Sequence, residues 1–196
     1  DVPAELYKEF MEDIAAEIDR ENKIINDLLA LVKMDKTAAD LNISVVNINE
    51  LTEIILKRLR PIARKRDIEV VFESIRQVNA EVDEVKMTLI ITNLVENAIK
   101  YNKEQGSVKV VLDADHQFFM LQVSDTGIGI PEESMDHIYE RFYRVDKSHS
   151  REIGGTGLGL AITRSAVLMH RGSIKLTSVE NEGTTFHVKI PLTYIS

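Results

Sequence analysis

The sequence predicts an α+β chain: a two-layer α/β sandwich, in which a mixed sheet carries helices on one face, preceded by one long N-terminal helix. Three observations carry that expectation. An apolar stripe at helical spacing runs from Leu6 to Val32. The remainder mixes helix-period segments with strand pairs, without the regular alternation of a doubly wound sheet. Between Asp125 and Leu160, two glycine clusters bracket about two dozen mostly polar residues, which suits a ligand-facing loop.

Bulk properties narrow the function classes. A chain of 196 residues fits one ordinary domain, or one domain with an appendage. With 44% hydrophobic and 29% charged residues it has enough apolar material for a core and reads as soluble. The formal net charge of -8 disfavours nucleic acid as a partner, since phosphate backbones attract basic surfaces. Cysteine is absent, which removes a disulfide framework and a thiolate metal site. No apolar run approaches the roughly 20 residues of a membrane span, and no signal peptide is visible, so no membrane contact is expected. The chain begins inside a helical pattern, as a fragment of a longer protein would.

The first helix is expected over Pro3–Asp35. Leu6, Phe10, Ile14, Ile18, Ile25, Leu28 and Val32 keep one face apolar, and Pro3 is tolerated in a first turn. At 1.5 Å per residue it is about 45 Å long. Its stripe needs a partner helix, and a projecting hairpin or coiled-coil arm suits it better than a helix folded onto the domain's own core. A polar linker follows at Lys36–Asn42, then a short strand at Ile43–Val46 and a helix at Asn49–Arg66, disturbed near its end by Pro61. Strands are expected at Ile68–Ile75 and Asn79–Val82. Asp83 is placed to cap a helix running to Tyr101. Ser107–Leu112 and Phe118–Ser124 read as a hairpin. After the glycine-flanked stretch come a helix at Gly157–Met169, ended by Gly172, and strands at Ser173–Ser178 and Thr184–Pro191.

The helix after Asp83 is the second informative segment. Met87, Ile91, Leu94, Val95 and Ala98 gather on one side, while Asn93, Asn97 and Lys100 gather on the other, with Tyr101 at the margin and Glu96 beside it. Asparagine is a mediocre helix former, so two of them one turn apart suggest more than solvation. Their amide oxygens suit a hydrated Mg²⁺, and a nearby lysine can reach a phosphate. Between the glycine clusters, Arg141, Arg144, Lys147, His149 and Arg151 make the stretch cationic in an anionic chain, as a lid over a polyphosphate would be.

Five segments together carry a resemblance. Asn93-Leu-Val-Glu-Asn97-Ala-Ile-Lys-Tyr101, Asp125-Thr-Gly-Ile-Gly129, Glu140-Arg-Phe-Tyr-Arg144, Gly155-Thr-Gly-Leu-Gly-Leu160 and Gly183-Thr-Thr-Phe186 resemble, in order, the asparagine box, first glycine box, phenylalanine box and second and third glycine boxes of sensor histidine kinases. Those kinases share an ATP-binding superfamily with gyrase, heat-shock chaperone ATPases and MutL. The resemblance implies that Asp125 accepts a hydrogen bond from the adenine amino group, assisted by Thr184. It implies that Gly127 and Gly129 let the backbone turn beside the nucleotide. Asn97 becomes the principal Mg²⁺ ligand with Asn93 close by, Lys100 and Arg144 contact phosphates, and Tyr101 packs near base or ribose. Gly155, Gly157 and Gly159 form a hinge and a phosphate-facing helix N-terminus, and Ile130, Thr156, Leu158 and Leu160 complete the ATP-binding set. Phe142 is expected to anchor the lid by burial.

The same resemblance implies two units. Residues 1–36 are similar to the second helix of a dimerisation hairpin, on the strength of Glu17-Ile-Asp-Arg20 and Asp27-Leu-Leu-Ala-Leu31; residues 37–196 form the ATP-binding catalytic domain. The phosphoacceptor histidine belongs on the hairpin's first helix, and no histidine precedes His116, so the acceptor is expected upstream of Asp1 and no autophosphorylation is expected from this chain by itself. Implied partners are that missing helix, a second protomer and the receiver domain of a response regulator, with a cytoplasmic location beneath a membrane-bound sensor. A conformational ATPase and a passive ATP-binding module are the competing readings. Hydrolytic relatives place a glutamate where this chain has Asn93, and an amide is no general base at neutral pH. The Gly155–Gly159 run follows a polar stretch where a dinucleotide fingerprint would follow a strand, and no Gly-x-x-x-x-Gly-Lys-Ser/Thr loop occurs. The histidines read as structural: His170 at a helix end, His116 in a turn, His187 on a strand and His137 at the surface, with His149 among the lid cations.

Overall fold

In the computed structural model, residues 3–36, 41–145 and 155–194 are described. The long helix α1 spans Ala4–Lys36. Leu6, Phe10, Ile14, Ile18 and Ile25 stay exposed along it, as an arm awaiting a partner would leave them, yet its C-terminal part returns to the domain, where Leu31 is buried and Ala30 packs against the core. The helix is therefore exposed along its amino-terminal part and docked on the core near its carboxy-terminal end.

The main sheet has five strands: β2 (Glu69–Ser74), β4 (Ser107–Ala114), β5 (Phe118–Asp125), β6 (Ser173–Val179) and β7 (Gly183–Pro191). Their order is β2-β4-β5-β7-β6, with β2 parallel to β4 and every other pairing antiparallel. A separate two-stranded sheet, not anticipated from the sequence, pairs β1 (Ile43–Asn47) with β3 (Asn79–Asp83). Strand alternation buries Val108, Val110 and Leu112 of β4, Phe119, Leu121 and Val123 of β5, and Phe186, Val188 and Ile190 of β7. They share one core with Ile55, Leu56 and Leu59 of α2 (Ile48–Arg64), Met87, Ile90, Ile91 and Leu94 of α3 (Glu84–Lys100), and Ile162, Ala166 and Val167 of α4 (Gly159–Met169). Each such Val, Leu, Ile, Phe or Met side chain contributes about 1.5–3 kcal/mol on burial, which makes this layer the main source of stability.

Local signals set the helix ends. Asn47 caps α2 by accepting from the backbone N–H groups of Asn49 and Glu50, and the helix continues through Pro61 to Arg64. Asp83 caps α3 as anticipated, accepting from Lys86 N at 3.0 Å. The helix α4 ends at Met169 as expected, two residues before Arg171 takes the left-handed conformation (φ 59°), while Gly172 N donates to Val167 O and Arg171 N to Leu168 O. Gly172 is required for close approach: a Cβ there would press against Lys189 O and Ile190.

Candidate functional site

Four chain segments converge at one edge of the helix layer: the end of β5, the C-terminal half of α3, the N-terminus of α4 and the start of β7. They enclose a cavity of about 490 Å³ lined by Asn97, Tyr101, Asp125, Gly129, Ile130, Arg144, Leu160 and Thr184 among the sequence-predicted residues. A smaller cavity of about 110 Å³ adjoins it, sharing Asn97, Tyr101, Arg144 and Leu160 and adding Asn93, Lys100, Gly155, Thr156, Gly157 and Gly159.

Asp125 is the polar anchor of the larger cavity. Its Oδ1 accepts from Gly127 N at 2.8 Å and Thr184 N at 3.3 Å, and among the described residues Oδ2 has no partner. Burial pushes the carboxyl up to about 6 even though those two backbone donors pull it down. Two glycines permit this arrangement. Gly127 lies against the Tyr101 carbonyl, and Gly183, at φ 142°, lies against the Asp125 carbonyl, so a side chain at either would collide with backbone. Behind Thr184, Ser178 Oγ donates to Gly183 O at 2.9 Å and accepts from Ile130 N at 2.8 Å. The Thr184 hydroxyl, 2.9 Å from Ser178 Oγ, therefore spends its hydrogen on Ser178 and keeps its lone pairs as acceptors.

The smaller cavity is cationic. Arg144 Nη1 donates to Gly155 O at 3.2 Å, and Lys100 Nζ occupies the space that a side chain at Gly155 would need. Burial, followed by the charges of Arg144 and Lys23, lowers the Lys100 ammonium to about 8. The same ammonium lies 5.1 Å from the centre of the Tyr101 ring. Asn93 Nδ2 donates to Gly159 O at 3.2 Å and Thr163 Oγ1 at 3.4 Å, which turns its amide nitrogen toward α4 and leaves its carbonyl oxygen as acceptor. One wall comes from α1: Lys23 pairs with Glu96 at 3.2 Å, and Thr156 Oγ1 donates to Asp27 Oδ2 at 2.7 Å.

A profile described as Histidine kinase-, DNA gyrase B-, and HSP90-like ATPase matches residues 82–194, more than half of the chain. The chain belongs to that family. The Sensor protein kinase WalK of Staphylococcus epidermidis is 37% identical over 190 residues, covering 95% of this chain and 31% of the relative. The Sensor histidine kinase WalK of Bacillus subtilis is 35% identical over 178 residues, covering 89% and 29%. The chain thus spans about a third of the length of these relatives. Among solved structures, the nucleotide-free catalytic domain of the histidine kinase ThkA aligns with a TM-score of 0.69 at 30% identity, over 78% of this chain and 97% of that one. ThkA in complex with the response regulator TrrA aligns with a TM-score of 0.77 at 26% identity, over 98% and 53%. The chain is similar to the ATP-binding catalytic domains of sensor histidine kinases.

The cavity suits the ATP that this ATPase family binds. A free carboxylate oxygen faces a large, mostly apolar chamber, and a lysine and an arginine converge on the neighbouring glycine turn. Two predicted residues do not line either cavity: Gly127 and Leu158 are buried behind it, Leu158 as core. Phe142 does not anchor the lid segment by burial. It is 58% exposed at φ 64°, with its backbone against Gly157, and the half-buried Tyr143 does the anchoring, its hydroxyl donating to Ser134 Oγ at 3.0 Å. Lys147, His149 and Arg151 lie outside the described residues. Sequence reading missed Ile128, Pro131, Ile138, Val145, Asn181 and Phe186 as cavity lining, and gave Lys23 and Asp27 no part in the site. The apolar ones look like ordinary core or loop residues, and Asp27 meets Thr156 across 129 positions of sequence.

His170 is buried at the end of α4, while His116 and His187 are exposed and His137 pairs with Glu140 on the surface at 2.7 Å. Among the described residues, no cluster of three or more His, Cys, Asp or Glu side chains could hold a metal, and no helix is long and apolar enough to cross a membrane.

Proposed function

We propose that the chain is the catalytic part of a two-component sensor histidine kinase, which transfers the γ-phosphoryl group of ATP to a histidine on a helix upstream of Asp1, and from there to the aspartate of a response-regulator receiver domain. The observation that carries this reading is the setting of Asn93. Its amide is tied to Gly159 and Thr163 where a hydrolytic relative would hold a glutamate, so no side chain there can activate water. Glu96 is the nearest carboxylate on α3, and Lys23 holds it.

In this reading Asp125 receives the adenine amino group, Lys100 and Arg144 hold phosphate oxygens, and the N–H groups at the start of α4 face them. Mg²⁺ would be held by Asn97 with Asn93, whose neutral oxygens suit a hard, hydrated cation shared with phosphates. The metal's chemistry is to neutralise charge on the transferred group. The exposed apolar stripe of α1 supports a homodimer built on helix pairing, and the complex of ThkA with its regulator supports a receiver-domain partner. A cytoplasmic position follows from that partner. Incubation with ATP, Mg²⁺ and a peptide spanning the upstream helix tests the proposal: acid-labile phosphohistidine on the peptide is expected. Its absence, together with rapid phosphate release from the chain, would favour a conformational ATPase instead.

A further inference from the structure

The wall that α1 gives to the smaller cavity has a chemistry of its own. Lys23, Asp27 and Leu31 follow at successive turns and so share one stripe of the helix, opposite the exposed apolar stripe of Ile14, Ile18, Ile25 and Val32. Leu31 is buried, Lys23 Nζ is 3.2 Å from Glu96 Oε2, and Asp27 Oδ2 accepts from Thr156 Oγ1 at 2.7 Å. Thr156 is itself a relay, because its Oγ1 accepts from Leu158 N at 3.2 Å, immediately before α4. A hydrogen-bonded line therefore runs from the amino-terminal end of α4 through a hydroxyl to a carboxylate. The positive end of the helix dipole lies at one end of that line, with Lys100 and Arg144 gathered at Gly155 beside it. An anion with oxygen acceptors suits such a place, and Asp27 brings a carboxylate to its wall through Thr156.

We infer that the Asp27 carboxylate, with α1 docked, is an internal surrogate for a terminal phosphate oxygen, so that Asp27 and the Lys23–Glu96 pair set how the site discriminates between a nucleoside triphosphate and a diphosphate. The inference rests on the proposed reading of the cavity as an ATP site. The Thr156 hydroxyl has one hydrogen and has given it to Asp27, so an additional phosphate reaching this turn meets a spent donor and a like charge. A diphosphate stops short and leaves α1 in place. A triphosphate binds fully only when Asp27 withdraws, which also frees Glu96 from Lys23. Asp27 is thereby a specificity residue supplied from outside the sheet domain.

Titration calorimetry with Mg·ATP and Mg·ADP on the full chain tests this. Asp27→Asn keeps an acceptor for Thr156 but removes the charge; it is expected to strengthen ATP binding by about 10-fold and to change ADP binding by less than about 2-fold. The chain has no cysteine, so Lys23→Cys with Glu96→Cys offers a unique pair for a short bis-maleimide, which holds α1 docked. Cross-linking is expected to weaken ATP binding and spare ADP. An unchanged ATP-to-ADP ratio in Asp27→Asn, or equal ATP affinity with and without the cross-link, overturns the inference while leaving the nucleotide site intact. Failure of every variant and the parent chain to bind either nucleotide overturns the ATP reading itself.

Discussion

His170 Nε2 accepts the backbone N–H of Asp83 at 3.0 Å, joining the end of α4 to the start of α3 through a buried imidazole. The other ring nitrogen, Nδ1, donates to Ala166 O at 2.7 Å, so the neutral Nδ1–H tautomer satisfies both bonds. Protonation of Nε2 would leave two donors facing each other. His170→Ala is accordingly expected to cost about 1–3 kcal/mol, the penalty of a buried N–H without a partner, read from the urea midpoint. Burial also depresses the His170 pKa. The unfolded chain then binds the extra proton first, and the stability His170 contributes is present above about pH 6.5 and declines as pH falls below it. In His170→Ala that acid slope should flatten; an unchanged slope between pH 6.5 and 5 contradicts the assignment.

Asp125 runs the opposite way. Its folded pKa of about 6 lies above the ordinary value of 3.8, because burial opposes the charge before any ligand uses it. The native state holds the proton more tightly than the unfolded chain, so the ionised carboxylate destabilises the nucleotide-free fold above pH 6, and the penalty fades as pH falls toward 3.8. Asp125→Asn keeps an oxygen for Gly127 N and Thr184 N. It is expected to raise stability at pH 7 by about 2 kcal/mol, a gain that vanishes near pH 4, while losing at least about 10-fold in ATP affinity. Thermal melts across pH, paired with calorimetry, separate the two effects.

Lys100 gives the alkaline limit. Its ammonium titrates at about 8 through burial and the neighbouring charges of Arg144 and Lys23. An arriving polyphosphate restores the charged form, so binding at pH 8 is expected to take up a proton, detectable as a dependence of the calorimetric heat on buffer ionisation enthalpy. ATP affinity should fall between pH 7.5 and 9, and Lys100→Ala should abolish both the proton uptake and that fall.

The glycines of the second cluster are not equivalent. Gly157 sits at φ 71° with the Phe142 backbone where its side chain would be, whereas a Cβ on Gly159 meets Asn93 at ordinary contact distances of 3.7–3.9 Å. Gly157→Ala is expected to destabilise the turn by about 1–3 kcal/mol. Gly159→Ala should be neutral or stabilising by up to about 1 kcal/mol, since it lies within α4. Denaturation of both variants checks the contrast; equal losses would remove the steric distinction.

Asn97 has no side-chain hydrogen bond among the described residues and faces both cavities. Asn97→Ala should leave the melting temperature of the nucleotide-free chain within a few degrees, and abolish the increment in ATP affinity that Mg²⁺ provides. An undiminished Mg²⁺ increment would exclude Asn97 as the metal's ligand.

Much of this was legible in one dimension because the relevant signals are local. The stripes of α1 and α3, the cap at Asp83, the hairpin of β4 and β5, and the spacing of Asn93, Asn97 and Lys100 all lie within a few turns of their partners. The end of α4 at Met169 was legible, but not that Gly172 is needed for close approach to Lys189 O while Arg171 adopts the positive φ. Phe142 misled: an aromatic in a lid box suggests burial, but the backbone turn at Gly157 directs it outward and leaves Tyr143 inside.

The sequence by itself determined the elements, the order of the ligand-facing segments and the chemistry each could offer, since helical period, capping and glycine placement act over short separations. The tertiary structure decided which of those groups meet and in what electrical state. Only the packing of β5 against β7 brings Thr184 N to Asp125, and only burial in the folded chain raises that carboxyl to about 6 against the pull of this donor. Only the docking of α1 places Asp27 on Thr156. Burial and contacts across a hundred residues of chain depend on the whole core, and no local pattern encodes them.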